Sequence, residues 1–322
     1  MMTYLEAIAD GLRQAMRADP SVILLGEDVG AYGGAFKLTK GFVEEFGLHR
    51  VIDTPISEAA VVGAAIGAAL VGLRPVAEMQ FADFVSNAFN QIVNVAATSA
   101  YRAGGCVPLV IRAPCGAGTH GGPFHSQSVE AYFFHTPGMK IVLPATPADA
   151  KGLLLSAIAD PNPVLYLEHK ALYRAQPGPV DEGLTFVPLG DATVRRPGRD
   201  VSVVTYGMMV HRCLEAAEGA AQEGVDAEVI DLRTLLPLDL TTLTDSVTRT
   251  SRVLIVHEDR LRGGIGAEMA AYIGEHLFSV LDAPICRVGA PDTPVPYAPA
   301  LEAAYLPSVE RIRRAIVQLA RW

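Results

Sequence analysis

Short apolar runs alternate with helical patterns along nearly the whole chain, and this alternation restricts the fold more than any other feature. Residues 22–25 and 201–206 are apolar runs typical of buried strands. Leu5, Ile8 and Leu12 recur instead at the spacing of an amphipathic helix. Strands that alternate with helices form a largely parallel sheet, and the loops after the strands carry function. The sequence therefore predicts an α/β layer fold.

The alternation breaks once, and the break divides the chain. A stretch rich in Pro, Gly and Asp runs from residue 175 to about residue 190, and the alternation then restarts. We expect a first domain at residues 1–178, a linker at residues 179–194 and a second domain at residues 195–322. A chain of 322 residues is long enough for two such domains.

Composition excludes several classes of protein. The net charge of -9 argues against a nucleic-acid binder, whose surface would be basic. The apolar run at residues 59–70 is too short and too rich in glycine to cross a membrane. The N-terminus lacks the apolar core of a signal peptide, and the four cysteines show no CxxC spacing. We therefore expect a soluble cytoplasmic protein, or one of the mitochondrial matrix in a eukaryote.

Residues 53–58 (Asp-Thr-Pro-Ile-Ser-Glu) are typical of an extended segment that turns into a helix. Pro55 disfavours a helical conformation in the residue before it, and Ser57 is a suitable N-cap. The helix that follows is almost entirely Ala, Gly, Val and Ile, so we expect it to be buried. Glu58 either offsets the helix dipole or handles a proton in apolar surroundings, and the residues alone leave both readings open.

A glycine-rich stretch at residues 115–128 contains Cys115, His120 and His125. Zinc sites use closer ligand pairs and three or four ligands, so metal binding is disfavoured. A second interpretation is an active-site loop in which glycines admit a ligand and His125 handles a proton. The third is a surface loop with incidental histidines.

A second glycine-rich turn, residues 263–266, precedes a predicted helix and resembles a phosphate-binding turn. It lacks the G-x-G-x-x-G pattern, so packing at the helix start is the preferred interpretation. The chain also lacks a Walker sequence, a Gly-x-Ser-x-Gly elbow and a Gly-Asp-Gly metal–diphosphate motif. Either the ligand is uncharged, or another chain supplies the missing half of the site.

Several motifs together resemble the β subunit of thiamine-diphosphate-dependent 2-oxo acid dehydrogenases, the decarboxylating component of the pyruvate and branched-chain complexes. The likeness runs in order over essentially the whole chain. The resemblance implies a pyrimidine-binding domain followed by a transketolase C-terminal-like domain. The matching segments are residues 26–30, 53–58, 77–84, 125–128, 167–170, 231–234 and 294–298.

The resemblance implies oxidative decarboxylation of a 2-oxo acid and reductive acylation of a lipoyl domain of the acyltransferase core. It implies two α and two β chains, with thiamine diphosphate bound between α and β and Mg²⁺ held by the α chain. The Gln-Phe-Ala-Asp-Phe run at residues 80–84 favours a branched-chain substrate over pyruvate or acetoin. A non-catalytic docking scaffold and a self-sufficient transketolase-like enzyme are the alternatives.

The same resemblance assigns roles to individual residues. Glu58 matches the glutamate that bonds a ring nitrogen of the aminopyrimidine, and His125 matches the histidine that assists acyl transfer to the lipoyl group. Residues matching the pyrimidine lining are Ile56, Gln80 and Phe84. Residues matching a structural potassium site, mostly through backbone carbonyls, are Leu109, Ala157, Ile158, Asp160 and Asn162. His169 stands where many relatives have Pro, and the sequence does not explain this difference.

Overall fold

The computed structural model describes residues 1–175 and 177–322, which divide into two compact units. The first unit comprises Met1–Cys115 and Tyr132–Leu189, and the second comprises Gly116–Ala131 and Gly190–Trp322. Both are α/β, as predicted. The domain bounds 1–178, 179–194 and 195–322 stay a prediction, and Gln176 within the first of them lies outside the described residues.

The first unit is built around parallel strands. The six strands β1 to β6 pair in the order β5-β6-β4-β3-β1-β2, so all their carboxyl ends lie at one edge. The elements in chain order are α1 (Tyr4–Ala18), β1 (Val22–Gly26), α2 (Phe42–Phe46), β2 (Val51–Asp53), α3 (Glu58–Leu70), β3 (Arg74–Glu78), α4 (Ser99–Ala103), β4 (Val110–Cys115), α5 (Glu130–Phe134, whose first two residues belong to the second unit), β5 (Lys140–Val142), α6 (Pro147–Ala159) and β6 (Val164–His169).

Local sequence explains several of these elements. Every residue of β1, β4 and β6 is buried, as expected for strands covered on both faces. Thr3 and Glu6 form the capping box of α1, and Thr146 caps α6 with Pro147 at its first position. The apolar run at residues 107–111 predicts a strand, but the strand lies at Val110–Cys115, so the predicted loop residue Cys115 belongs to the sheet.

Phe84, Ala88, Ile92 and Ala96 recur at the i, i+4 spacing that predicts a long α-helix after β3, and this prediction is wrong. The chain forms a 3₁₀-helix at Ala82–Ala88, a π-helix at Gln91–Ala96 and then the short α4. Side chains compete with the regular ladder, because Ser86 Oγ donates to the Asp83 carbonyl and Thr98 Oγ1 to the Asn94 carbonyl. Ala88, Ile92 and Ala96 are nevertheless buried, whereas Phe84 is half-buried.

The second unit has its own sheet, with strand order β12-β11-β8-β9-β7, in which β7 is antiparallel to β9 and the other pairs are parallel. Buried residues of α7 and α11 pack with those of β8, β9 and β11 in one hydrophobic core. Its elements are β7 (Thr193–Arg196), β8 (Val201–Thr205), α7 (Met209–Ala221), β9 (Ala227–Asp231), β10 (Thr234–Leu236), α8 (Leu240–Thr250), β11 (Val253–Arg260), α9 (Ile265–His276), β12 (Cys286–Ala290), α10 (Pro299–Tyr305) and α11 (Val309–Ala320).

Two expectations from composition bear on the described chain. All four cysteines are free, in agreement with the absence of CxxC spacing. Within residues 1–175 and 177–322, no helix is both long enough and apolar enough to span a membrane.

A buried arginine joins three strands of the first sheet. Arg112 in β4 donates from Nε and Nη2 to both carboxylate oxygens of Glu168 in β6, at 2.6 and 2.8 Å. Its Nη1 donates to Glu78 in β3 at 2.5 Å. Tyr173 Oη donates to Glu168 at 2.7 Å, and all four side chains are almost inaccessible to solvent. One guanidinium therefore serves two carboxylates in the interior.

The electrostatics follow from this sharing. Burial lowers the pKa of Arg112, but Glu168 and Glu78 outweigh it and the net pKa is raised, so the guanidinium stays charged. Burial raises the pKa of Glu78, and Arg112 offsets this only in part because it also serves Glu168. Removing the cation would leave two uncompensated acids in the core.

We expect Arg112→Met to lower the free energy of unfolding by about 3–5 kcal/mol, because breaking a buried ion pair leaves its partner desolvated. Arg112→Lys should lose less, since an ammonium keeps the charge but not the bidentate geometry. Urea unfolding of the full chain measures both. The control is Arg314→Met, whose pair with Glu310 is exposed, with an expected change below about 1 kcal/mol. A loss for Arg112→Met no larger than the control would contradict the network's role.

Candidate functional site

Three neighbouring strands of the first unit end side by side. Gly26 at the end of β1 pairs with Asp53 at the end of β2 and with Glu78 at the end of β3. Because the strands are parallel, the segments that follow them leave the sheet at the same edge. These segments carry Glu27, then Ile56 and Glu58, then Gln80 and Phe84. The structure thus brings the predicted pyrimidine-site residues to one edge, which we call the carboxyl-edge site.

Two glycines allow the strand ends to approach this closely. The N–H of Gly30 donates to Asp53 Oδ1 at 2.6 Å, and a Cβ at Gly30 would lie 2.4 Å from Asp53 Oδ2. A Cβ at Gly26 would lie 2.7 Å from the Glu78 carbonyl oxygen. A larger residue at Gly26 would clash with the backbone of β3, and one at Gly30 would clash with the Asp53 carboxylate that its N–H binds. The Gly-Glu-Asp-Val-Gly motif therefore shapes the carboxyl-edge site.

Glu58 is the first residue of α3 and is half-buried. Its Oε2 accepts a hydrogen bond from Asn87 Nδ2 at 3.1 Å. Ser57 occupies the N-cap position but its side chain makes no capping hydrogen bond, contrary to expectation. A carboxylate at this position is favoured by the helix dipole and remains accessible to a ligand.

Glu27 and Asn87 belong to the site, although sequence reasoning did not assign them. Burial raises the pKa of the Glu27 carboxyl, and the nearby charges of Asp28 and Glu58 raise it further. The position of Glu27 directly after a buried strand was a usable signal. Asn87 carried no signal, because the sequence does not show that a 3₁₀-helix would bring it to Glu58.

The remaining residues of the carboxyl-edge site present varied surfaces. The side chain of Ile56 is 75% exposed, and Gln80 and Phe84 are half-buried. The Phe84 ring stands edge-on to Phe81, with 6.0 Å between the ring centroids. The site thus combines hydrogen-bonding groups, a carboxylate and an amide, with apolar ones, an aromatic ring and a branched side chain. This combination suits a flat heteroaromatic ring with hydrogen-bonding nitrogens, such as an aminopyrimidine.

The expected burial of the whole α3 helix is wrong. One face is buried, through Val61, Val62, Ala65, Ile66 and Ala69. The opposite face, formed by Ala60, Ala64, Gly67, Leu70 and the following Val71, is exposed, and Val71 is 81% accessible. We call these five residues the open face of α3. Composition could not reveal this, because both faces are apolar.

The glycine-rich loop of the second unit, residues 116–125, is held by the chain's own acids. Glu258 in β11 accepts the N–H of Ala117 at 2.6 Å. Glu302 in α10 accepts the N–H groups of Gly118 and His120 at 2.9 and 3.2 Å. Backbone donors that could have bound an anionic ligand are therefore already used.

The two histidines of this loop differ in setting. His120 has a positive φ of 60°, and its Nδ1 lies 2.7 Å from Glu302 Oε2. His125 is half-buried and follows the single 3₁₀ turn Gly122–Phe124. Among the residues that the structure describes, no three His, Cys, Asp or Glu side chains are arranged to hold a metal ion. The disfavoured metal reading of Cys115, His120 and His125 gains no support.

The turn at residues 263–266 packs against a buried histidine. The ring of His257 would lie 2.9 Å from a Cβ at Gly264 and 2.6 Å from one at Gly266. Its Nδ1 is 2.9 Å from the Asp259 carbonyl oxygen, and burial lowers its pKa to about 4. The preferred interpretation of these glycines as packing at the start of α9 is confirmed.

Glu130, at the end of the segment Gly116–Ala131, is a buried acid. Tyr206 Oη donates to its Oε1 at 2.9 Å, and its Oε2 has no hydrogen-bond partner in the described part of the chain. Burial, reinforced by the charge of Asp259, raises the pKa of the Glu130 carboxyl to about 8. This carboxyl is therefore mostly protonated at neutral pH.

The residues matching the potassium site lie at the C-terminal end of α6 and beside it. Arg74 Nη1 donates to the Ile158 carbonyl at 2.8 Å and approaches the Asp160 carbonyl at 3.4 Å. The Asp160 carboxylate pairs with Lys140 and accepts the N–H of Asn162 at 2.9 Å. The Leu109 carbonyl accepts a ladder hydrogen bond from Val164, and that of Ala157 accepts the N–H of Asp160. Oxygen donors at a helix C-terminus suit a hard cation, and Arg74 already supplies positive charge to two of them.

Two α/β units, with an acid at the carboxyl edge of the first sheet and a histidine loop in the second, define a protein of the transketolase-like thiamine-diphosphate class. Family comparison agrees: the transketolase pyrimidine-binding domain matches residues 1–176, and the transketolase C-terminal domain matches residues 190–312. The chain belongs to the β subunits of the thiamine-diphosphate-dependent 2-oxo acid dehydrogenases, as the motifs predicted.

The relatives cover the whole chain. It is 47% identical to the 2-oxoisovalerate dehydrogenase subunit beta of Bacillus subtilis, over 100% of this chain and 99% of the relative. It is 47% identical to the acetoin:2,6-dichlorophenolindophenol oxidoreductase subunit beta of Cupriavidus necator, over 96% and 94%. A solved split gene transketolase, described as an inactive beta4 tetramer, superposes with a TM-score of 0.79 at 25% identity over 99% of both chains.

We expect the free energy of unfolding to fall as pH rises between about 6.5 and 8. The folded state holds a proton on Glu130 up to a pKa of about 8, whereas the unfolded carboxyl loses it near 4.5. The folded state thus binds more protons in this window, and stability drops by at most about 1.4 kcal/mol per pH unit. Glu130→Gln should flatten this dependence in urea unfolding, because a neutral amide still accepts from Tyr206.

The control is Glu215→Gln, which changes an exposed acid of α7 and should keep the wild-type slope. His257 does not contribute above its ordinary pKa of 6.5, because its folded pKa is lower still. An unchanged slope in Glu130→Gln would show that this carboxyl is already ionised in the folded protein.

Proposed function

We propose that this chain is the β subunit of a 2-oxo acid dehydrogenase that, together with an α subunit, oxidatively decarboxylates a 2-oxo acid and acylates a lipoyl domain. The observation that carries the proposal is the carboxyl-edge site, where Glu58 follows β2 and Gln80 and Phe84 follow β3, on either side of β1 at one edge of the sheet. The full-length relatives named as subunits of such enzymes support it. Thiamine diphosphate would supply the electron sink for decarboxylation.

In this proposal the chain holds only the pyrimidine end of the cofactor. Glu58 would bond a ring nitrogen, and its half-exposed carboxylate makes a strong charge-assisted bond to such a donor. Phe84 and Ile56 would line the ring, and Gln80 would supply an amide. Mg²⁺ and the diphosphate would be held by the α chain.

The open face of α3 supports a subunit partner. Its five apolar residues are continuous with the first turn that carries Glu58, and monomeric proteins seldom leave such a face uncovered. A Cβ at Gly67 would meet no atom within 4 Å, so this glycine is not required by packing inside the chain. A second backbone approaching closely would require it. We propose that subunits of a tetramer of two α and two β chains cover this face.

His125 would assist acyl transfer to the lipoyl group of the acyltransferase core component. It is half-buried on a loop that acids of the second unit hold in place, which suits a group that must keep a fixed position yet exchange protons. A non-catalytic docking scaffold would need neither this histidine nor Glu58. The retention of both favours the catalytic role.

For the substrate we propose a branched-chain 2-oxo acid, with pyruvate and acetoin as alternatives. The identities of 47% to a 2-oxoisovalerate dehydrogenase subunit and 47% to an acetoin oxidoreductase subunit do not choose between them. The co-expressed α–β complex should be assayed with 3-methyl-2-oxobutanoate, pyruvate and acetoin and an artificial electron acceptor. We expect the highest kcat/KM with the branched-chain acid, and a clear preference for either other compound would overturn this choice.

We expect Glu58→Gln to lower turnover of the reconstituted complex by at least about 10²-fold, because an amide cannot serve as the proton-exchanging group. The control is Glu44→Gln, an exposed acid of α2. If turnover of Glu58→Gln stays within a fewfold of wild type, the catalytic assignment is wrong. Calorimetry of thiamine diphosphate with the chain alone tests the self-sufficient alternative, and we expect little or no binding heat.

We also propose that K⁺ binds the carbonyls of Leu109, Ala157, Ile158, Asp160 and Asn162, beside the Arg74 guanidinium. A ligand that binds only the folded state raises its stability by mass action. Replacing NaCl with KCl at equal ionic strength should therefore raise the thermal unfolding midpoint of the chain by a few degrees. Equal midpoints in the two salts would mean that Arg74 and Lys140 alone satisfy these oxygens.

A further inference from the structure

One buried carboxylate fixes both the backbone and the ring of His120. Oε1 of Glu302 accepts the N–H groups of Gly118 and His120, and its Oε2 lies 2.7 Å from His120 Nδ1. The Glu302 side chain is 2% exposed, whereas that of His120 is 54% exposed. The Glu302 carboxylate therefore meets three donors from the loop inside the second unit.

The backbone of His120 is strained in a way that needs this support. Its φ of 60° lies in the left-handed region, which few residues with a Cβ adopt, although His and Asn adopt it more readily than most. Such a conformation persists only when surrounding contacts impose it, and it is enriched at functional sites. The hydrogen bond from the His120 N–H to Glu302 is one such contact.

Close packing links His120 to His125. A Cβ at Gly121 would lie 2.8 Å from the Cβ of His125, and one at Gly122 would lie 2.3 Å from the ring of Tyr297. The His125 N–H also turns back toward the Gly122 carbonyl, at 3.5 Å. Residues 121–124, which connect the two histidines, therefore have no room to move independently of them. We expect a displacement of His120 to displace His125 as well.

We propose that Glu302 and His120 are positioning residues for His125: Glu302 orients the His120 imidazole through Nδ1, and the held imidazole fixes the loop that carries His125. This inference rests on the proposed role of His125 in acyl transfer. The pair is assigned no contact with the substrate. Small displacements of a reacting group cost large factors in rate, so loss of the pair acts on kcat rather than on binding.

The variants test the contribution of the His120 imidazole separately from that of the His120 backbone conformation. His120→Asn removes the imidazole, yet Asn is among the residues that most readily adopt a positive φ. Glu302→Gln keeps an oxygen that can accept from the two backbone N–H groups. It places an amide NH₂ group, instead of a carboxylate oxygen, next to His120 Nδ1. Glu302→Asp keeps the charge. The control is His276→Asn, an exposed histidine of α9 whose Nδ1 bonds the Tyr272 carbonyl.

The assay is acylation of a lipoyl domain by the α–β complex. We expect His120→Asn and Glu302→Gln each to lower kcat by about tenfold, with KM for the lipoyl domain within about twofold of wild type. The double variant should be no slower than either single variant, because the two residues act as one unit. Glu302→Asp should recover part of the rate, and His276→Asn should match wild type.

Three outcomes would overturn the inference: wild-type kcat in both single variants, a rise in KM alone, or losses that multiply in the double variant. Thermal unfolding of each complex identifies variants that fail to fold, and a misfolded Glu302→Gln leaves His120→Asn as the deciding variant. If the wild-type complex decarboxylates no 2-oxo acid and acylates no lipoyl domain, the proposed function itself fails. If the wild-type complex acylates the lipoyl domain and both single variants have the same kcat as wild type, only the positioning role is rejected.

Discussion

The shared guanidinium of Arg112 is the interaction on which the first unit depends. It joins β3, β4 and β6 from inside by serving both Glu78 and Glu168. The Arg112 carbonyl also accepts the N–H of Met79, directly before Gln80. The same residue therefore fixes the strand ends from which the carboxyl-edge site begins. Since a buried pair is expensive to break, this geometry is held rigidly.

The second unit solves a related problem with hydrogen bonds to its own acids. A loop with many glycines has high conformational freedom, and its exposed N–H groups need acceptors. Glu258 and Glu302 provide those acceptors at Ala117, Gly118 and His120, so the loop is ordered without a bound anion. Each unit thus carries one part of the proposed chemistry, Glu58 in the first and His125 in the second, on a rigid support.

Much of the fold was readable because the controlling signals are local. The capping box of α1 and the start of α6 follow from Thr3, Glu6 and Pro147, which act within one turn of helix. The segment after β3 was misjudged because the apolar spacing is compatible with several helix types. Side-chain hydrogen bonds to the backbone, such as that from Thr98 to the Asn94 carbonyl, are not visible in that spacing. The candidate site residues came from motifs, and their meeting at one edge followed from parallel strands.

By itself the sequence determined the α/β class and the family, and it predicted Glu58 and His125 as site residues, because periodicity and motif order are properties of the chain alone. Only the tertiary structure decided that Arg112 serves Glu78 and Glu168, that Asn87 meets Glu58 and that Glu302 holds His120. Asn87 and Glu58 are 29 positions apart in the sequence, and His120 and Glu302 are 182 positions apart. Arg112 is 34 positions from Glu78 and 56 positions from Glu168. Pairing of charged and polar groups at such separations depends on which segments the fold brings together. The order of residues along the chain does not give this information.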